Sequence, residues 1–505
     1  MTRFTPIVVV LCGLLLLSAP LAAQNQQPLT PLVPVAGNLG PGASNAWTFP
    51  APSGSVYSLI ARGADGFDPV LSVTDGVGRP IISNDDYNYP DSVDALLEAI
   101  ILPRTDTYTV TVSGFNNAAG RYTLTLLPGF AETATNEDFL GSPLWMPLGD
   151  SLDTDTSGGQ ITLRIATART TGVAFPVSAV NAADFYAETE VAAVNNAGSG
   201  WIVGVVGRRQ ASNYYLFELN DQGLWRFSVI VRGESTVLRD WGPHPSIVPG
   251  TTRFRLGMLA RGVGFDFFYD GGLIGSVSDQ TLPSSGAVGL AAGTTGSTPS
   301  ETLAVFDNLI ISTPLQIDGQ PVLPNEIGTS SDGRLVVREL EQRHVVDASG
   351  EMSLTVPQSS VQATGIGVSR VMLGRGLRYT NFALGASVLL QTTTPGPGGC
   401  GIVFRFEDEN NYALAYIDAT GGYGLSQRTS GVFNPGLFGE NPAIEPGEHN
   451  LLVIADANTL YYYINGQSVG RLDNVPVAGE VGTAVVNFAD VNTSCSFSDF
   501  WLWRW

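Results

Sequence analysis

The sequence predicts an all-β protein of three tandem β-sandwich domains, the last two an internal repeat, and three observations predict it. Gly and Pro are abundant, 59 and 31 of 505 residues, and Val, Thr and Tyr recur in short alternating runs, which favours brief strands joined by turns. The stretch 204–227, an apolar strand, a polar turn, an Asn213-Tyr214 step into an alternating strand and a Gly-containing return, comes back as 401–425 with Asn411-Tyr412 at the same place. The repeat then extends well beyond this hairpin. Phe185 matches Phe382, Pro249-Gly250 matches Pro446-Gly447, Asp270-Gly271 matches Asn465-Gly466, Gly286 and Gly289 match Gly479 and Gly482, and Asp307 matches Asp499. So long a period means two tandem globular domains, not a solenoid of short repeats.

The elements follow in order. Arg3, the apolar run from Ile7 to Leu17 and the residues Leu21, Ala22 and Ala23 read as an export signal over 1–23. Cys12 lies inside the apolar run, which argues against a lipid-anchored form, and no later run approaches the roughly 20 apolar residues of a membrane span. The expected mature protein is secreted or held at the cell surface after cleavage near Ala23. Three domains are expected in the chain: 24–130, 131–315 and 316–505.

Every basic residue is arginine, and the formal net charge is −21. Four arginines face nine acids in 24–130, ten face 18 in 131–315 and ten face 19 in 316–505. With no basic domain, the charge balance argues against nucleic acid and anionic membrane surfaces as partners. The lack of lysine excludes Schiff-base chemistry and a P-loop.

In 24–130, strands are expected at 45–49, 55–61, 68–74, 107–113 and 120–126. The strand that opens at Asp68-Pro69 and turns at Asp75-Gly76, the loop Asn84, Asp85 and Asp86, and the paired last strands with Tyr108, Gly120 and Tyr122 resemble the bacterial pre-peptidase C-terminal domain, a small sandwich carried by secreted peptidases and other exported proteins. Asp85, Asp86, Asp91 and Asp94, with Asp65 and Asp68 as potential neighbours, are oxygen-only ligands of the type that suits Ca²⁺. The alternative is that Asn84 and Asp85 form Asx-turns and the other acids are solvated. Ca²⁺ is the one cofactor the sequence offers, and none is required.

In 131–315, ten strands are expected: 161–167, 184–193, 201–207, 214–219, 224–231, 253–260, 264–269, 272–277, 286–291 and 304–311, the pattern of two packed antiparallel sheets. The Gly204 strand with Asn213, Tyr214 and Phe217, the Pro249-Gly250 lead into Arg253, the Tyr269-to-Gly272 turn, Gly286, Gly289 and Phe306 carry a resemblance to laminin-G and concanavalin-like jelly rolls, and to the exported bacterial family labelled 3-keto-disaccharide hydrolase-like. Gly401, Asn411, Tyr463, Gly466, Gly479, Gly482 and Asp499 carry it in 316–505. The resemblance implies glycan or surface-polymer recognition; the residues that match are turns and strand aromatics.

Catalytic chemistry is sparse. Glu188 with Glu190, and Glu407 with Glu409, have the alternate spacing of a glycosidase pair, yet neither pair recurs in the other copy, and alternate acids are more often a solvent face. His244, His344 and His449 are isolated, and no nucleophile elbow, zinc motif or redox motif occurs. No catalytic residue is assigned. Binding residues are expected among aromatics near turns: Trp225 and Trp241, with Arg226, Arg239 and Asp240 beside them. Trp501, Trp503 and Trp505 share one strand face, and their expected equivalents, Leu309 and Ile311, place them in the core. Cys400 and Cys495, matched to Val203 and Leu303, form an expected disulfide between an early and a late strand. The sequence thus reads as an exported, non-catalytic binding or adhesion protein for glycans or other extracellular polymers. The alternatives are a saccharide hydrolase using one repeat and a purely structural envelope protein.

Overall fold

The computed structural model describes residues 27–505 apart from 88–91, 142–143, 150, 197–199, 318–319, 322, 324–326, 329, 343–344, 347–348, 393–395, 435, 442–443 and 473–477. The expected export signal lies outside the described residues. The chain is all-β, with sheets of five and four strands followed by two larger sandwiches. In the first sandwich, Trp47, Phe49, Leu71, Val73 and Tyr108 from one sheet meet Leu59, Leu97 and Leu124 from the other. Its strands obey the period of two: in Asp106–Gly114, Tyr108, Val110 and Val112 are buried and the residues between them are not.

The second sandwich stacks two sheets. One is ordered Leu152–Ser157, Gln160–Ile165, Thr302–Thr313, Phe185–Asn196, Phe254–Arg261, Gly264–Tyr269 and Gly272–Ser278. The other is ordered Trp145–Pro147, Thr171–Pro176, Gly286–Thr294, Trp201–Gln210, Asn213–Asn220, Leu224–Val231 and Glu234–Pro243. In the third sandwich, Asn492–Arg504, Phe382–Thr392, Gly447–Asp456, Thr459–Ile464 and Gln467–Leu472 repeat the order of the first sheet, and Glu480–Asn487, Gly398–Asp408, Asn411–Asp418 and Gly422–Thr429 repeat that of the second. The ten strands expected in 131–315 are all present, and the sequence missed Glu132–Glu137, Trp145–Pro147, Leu152–Ser157, Thr171–Pro176, Asn181–Ala182 and Glu234–Pro243.

The repeated landmarks have physical causes. Asp270 and Asn465 have φ of 49° and 52°, and the glycines that follow have 79° and 83°, the paired left-handed residues of a tight hairpin. Gly286 and Gly479 lie against the backbone of Arg208 and Arg405, where a Cβ would come within 2.3 and 2.1 Å of the arginine carbonyl carbon. Those arginines, which sequence reasoning passed over, sit at strand bulges with φ near 50° and are fully buried. Arg208 donates to the carbonyls of Ala183, Leu282 and Gly262, and Arg405 to those of Thr380 and Ala457. One guanidinium in each repeat therefore ties separate loops together, and their carbonyls supply the acceptors that a buried charge needs.

Three expectations need correcting. The bulge residue that matches Asp499 is Asn308, not Asp307: their φ values are 51° and 50°. This one-residue slip reverses the facing of every side chain beyond it. Phe500 and Leu502 are the core equivalents of Leu309 and Ile311, whereas Trp501, Trp503 and Trp505 lie on the outside of the sheet, beside the helix Gly333–Gln342. By the same shift Cys495 corresponds to Ala304 and not Leu303. The expected bridge is present: Cys400 and Cys495 are disulfide-bonded with Cα atoms 5.6 Å apart, one in each sheet of the third sandwich.

Candidate functional site

Strand parity sorts the expected binding residues. In Leu224–Val231, Trp225, Phe227 and Val229 point into the core, so Trp225 is 1% exposed and packs on Phe217 and Phe267. Trp225 is thus a core residue and not a surface platform. Arg239 stacks over its ring, with the guanidinium carbon 3.4 Å from the centroid and Nη1 donating to the carbonyls of Trp225 and Asp240. Asp240 is exposed and caps the amide of Trp241 through Oδ1. Arg239 and Asp240 therefore shape the strand that presents Trp241.

Arg226 and Trp241 occupy the opposite, outward face. Trp241 is half-buried, and the Arg226 guanidinium carbon lies 4.7 Å from its ring centroid. Arg226 Nε and Nη2 donate to Glu218 Oε2 at 2.9 and 2.5 Å, because register sets Glu218 directly opposite Arg226. Glu218, which the sequence reading missed, is 0% exposed; burial pushes its carboxyl pKa up, and Arg226 opposes that shift. The signal was available: once Asp221 to Gly223 is placed as the hairpin turn, counting back along both strands pairs these two residues.

The outward face is concave. Thr171 Oγ1 donates to Glu218 Oε1 at 2.9 Å, although the strands Gly286–Thr294 and Trp201–Gln210 lie between their own. In a flat sheet strands spaced about 4.8 Å apart would hold these backbones about 14 Å apart. Gly204, Gly293 and Ala291 floor the interval and leave room for the curl. At the far edge a cavity of about 350 Å³ is lined by Phe175, Met146, Val177 and Arg209, with Arg209 stacked 4.8 Å over Phe175.

The third sandwich builds the equivalent face from different chemistry. Register puts Tyr416 where Glu218 stands, Gly424 where Arg226 stands and Tyr423 where Trp225 stands, while Phe438 takes the neighbourhood of Trp241. The Tyr416 ring lies over Gly424, whose missing Cβ would meet it at 2.5 Å, and packs 5.1 Å from Phe488. Burial, then Asp418, pushes the Tyr416 hydroxyl up to about 12. Phe438 and Phe488 are 52% and 49% exposed. A charged pair built on a buried carboxylate beneath one tryptophan in one repeat becomes an aromatic surface in the other.

The acidic loop of the first sandwich gathers Asp85, Asp86 and Asp94 with Asp68; Asp91 lies outside the described residues, and Asp65 turns away to pair with Arg121 at 2.5 Å. Burial, then Asp85, Asp68 and Asp94, pushes Asp86 up to about 8, and burial with Asp85 pushes Asp68 up to about 6. Burial also raises Asp85. Asp68 Oδ1 and Asp86 Oδ1 are buried without a hydrogen-bond partner. Asn84 bonds the Asp86 carbonyl and the Leu96 amide, and Asp94 accepts from Gly63. Among the described residues no three acids, histidines or cysteines are arranged to hold a metal ion.

The spaced acid pairs are bound by arginine. Glu188 pairs with Arg255 at 3.1 Å, Glu190 with Arg253 at 2.5 Å, Glu407 with Arg378 at 2.7 Å, and Glu409 with Arg370. His449 is buried between the Glu445 carbonyl and Asn465, His244 accepts from Ser246, and His344 lies outside the described residues. No helix among the described residues is long and apolar enough to cross a membrane.

No protein-family model matches the chain, and no curated protein matches it. Solved structures similar to parts of it include a carbohydrate-binding module, CBM66, from Bacillus subtilis, at 16% identity over 34% of this chain and 97% of that one, TM-score 0.27. Domains LG4-5 of the mouse laminin α1 chain match at 12% identity over 65% and 83%, TM-score 0.19. A β-glucanase from Bacillus licheniformis matches at 11% identity over 37% and 99%, TM-score 0.27.

Proposed function

We propose that this is an exported, non-catalytic protein that binds glycans or other extracellular polymers on the concave faces of its two larger sandwiches. The observation that carries the reading is the unit of Trp241, Arg226 and Glu218: a half-buried indole on a concave sheet, held by a guanidinium that a fully buried carboxylate fixes. An amphipathic ring fixed in advance loses little freedom when a sugar stacks on it. The disulfide fits an oxidising, exported setting. The non-catalytic part is supported by the arginine pairing of Glu188 and Glu190 and of Glu407 and Glu409. The test is a glycan array with the full chain, followed by calorimetry on the best ligand. Trp241→Ala is expected to weaken binding about tenfold or more, equivalent to about 1.4 kcal/mol. Reproducible polysaccharide cleavage abolished by Glu188→Gln or Glu407→Gln would overturn the non-catalytic reading.

The two partnerless carboxylate oxygens of Asp68 and Asp86 support Ca²⁺ as a ligand of the acidic loop, since a bound cation offsets the burial and the neighbouring negative charge that raise both acids. Added CaCl2 is expected to raise Tm, reversibly with chelator, and Asp86→Asn is expected to abolish the rise. An unchanged Tm would remove Ca²⁺ from the reading.

A further inference from the structure

The two repeats bury one corresponding sheet face in different ways. In the second sandwich Tyr186, Leu259 and Phe268 are covered by Val56, Ala99 and Phe130 at the junction with the first sandwich. Register identifies Ala383, Ile454 and Tyr463 as their equivalents in the third, and there the cover is Val336, Val337 and Leu340 of the helix Gly333–Gln342. The helix covers only part of the face. Beside it runs a cavity of about 740 Å³, within the range of sites that hold small ligands, about 300–1,000 Å³.

Its floor is the surplus indoles. Trp501 and Trp503 stand where the second sandwich has Ile310 and Ser312. Trp501 is wedged between Gly385 and Gly333, each so close that a Cβ would strike the ring, and is buried; Trp503 stays half-buried, with Met352 beside it. Arg334 and Arg338, one helical turn apart, and Glu341 form one wall, and Asp499 stands on the other. Asp332 lines the start of the helix, and among the described residues none of these five charged side chains makes an ion pair. The cavity thus offers one aromatic ring with uncommitted donors and acceptors on both sides, and both signs of charge in near balance. An ion would meet like charge on one wall. A polyhydroxylated chain of no net charge meets none: its C–H face lies on an indole, and each hydroxyl can donate to a carboxylate and accept from a guanidinium.

We propose that this groove is a second saccharide site, present in the third sandwich alone, and that it takes a neutral oligosaccharide on Trp503 between the helix arginines and Asp499. The ligand class rests on the glycan-binding reading above, but the site and its residues are separate from the concave faces. The test is calorimetry of the full chain with neutral tetrasaccharides (β-1,4-glucan, β-1,3-glucan, α-1,4-glucan and β-1,4-mannan) and with a tetragalacturonate. In the Trp241→Ala background, which removes the ring of the concave face, at least one neutral tetrasaccharide is still expected to bind, with affinity reduced about tenfold or more by adding Trp503→Ala or the helix-surface pair Arg338→Ala with Glu341→Ala. The helix-surface pair keeps the test valid if Trp503→Ala loosens the fold. Binding lost only with Trp241→Ala would uphold the concave site and overturn the groove. Preference for the galacturonate, or no neutral tetrasaccharide bound, would overturn it as well.

Discussion

Trp225 and Trp241 belong to paired strands yet serve opposite faces, and that difference sets what each substitution does. Trp225 fills the core against Phe217 and Phe267, so Trp225→Ala is expected to cost about 3–5 kcal/mol, as emptying a large buried site does. Trp241 contributes a cation–π contact on the surface, so Trp241→Ala is expected to cost about 1 kcal/mol or less. Denaturant unfolding of the two variants checks this, and equal losses would contradict the placement of Trp241 on the outer face. Both tryptophans were visible in the sequence beside turns; which one faces outward was not, because that depends on strand parity. Arg208 and Arg405 escaped notice for a related reason. An arginine in a strand ordinarily reads as a solvent-facing position, and only the left-handed bulge, with the close approach of Gly286 and Gly479, turns each one inward.

At the scale of the element, the strands and hairpin turns of the repeat were legible because Asn-Gly and Asp-Gly steps and alternating runs are local signals. The bulge at Asn308 and Asp499 was not, since it inserts a residue without a compositional mark, and the slip matched Trp501, Trp503 and Cys495 to the wrong positions of the second sandwich. The disulfide survives the correction, because Val203 and Ala304 are both core residues of the second sandwich. Cys400 and Cys495 are 95 residues apart, and closing such a loop in the unfolded chain is worth about 4–5 kcal/mol. Cys400→Ala with Cys495→Ser is expected to lower unfolding free energy by up to that amount while leaving the far-ultraviolet circular dichroism unchanged. Loss of the β signal in the variant would show that the bridge is needed for the topology itself.

The whole molecule is joined at a seam that no motif or turn signal marks. Isolated 131–315 would expose Tyr186, Leu259 and Phe268, which the first sandwich buries, whereas 316–505 carries its own helical cover. The piece 316–505 is therefore expected to fold alone, and 131–315 to aggregate unless 24–130 is retained; soluble, monomeric 131–315 by light scattering would refute this. The keystone of that junction is Glu98, in the strand Ala95–Ile101. It is buried and accepts from the amides of Ala131 and Leu315, where the chain passes into and out of the second sandwich. Arg261, which reaches the neighbouring Ala99 carbonyl, and Glu132 are the charged groups that act on it. Burial outweighs the two amides and Arg261, with Glu132 adding to it, and raises Glu98 from 4.5 to about 7. Between those values the native state holds a proton that the unfolded chain has released. The contribution of Glu98 to stability is therefore full below about 4.5 and is lost as pH rises through about 7. Asp86 and Asp68, raised in the same direction, add to the slope of the whole protein. The Glu98 share is isolated by the difference in Tm between the native protein and Glu98→Gln, whose side chain keeps the oxygen acceptor and does not titrate. That difference is expected to shift in favour of the variant between pH 5 and 8, and a difference that stays level across this range would refute the assignment of Glu98 as the titrating group of the junction.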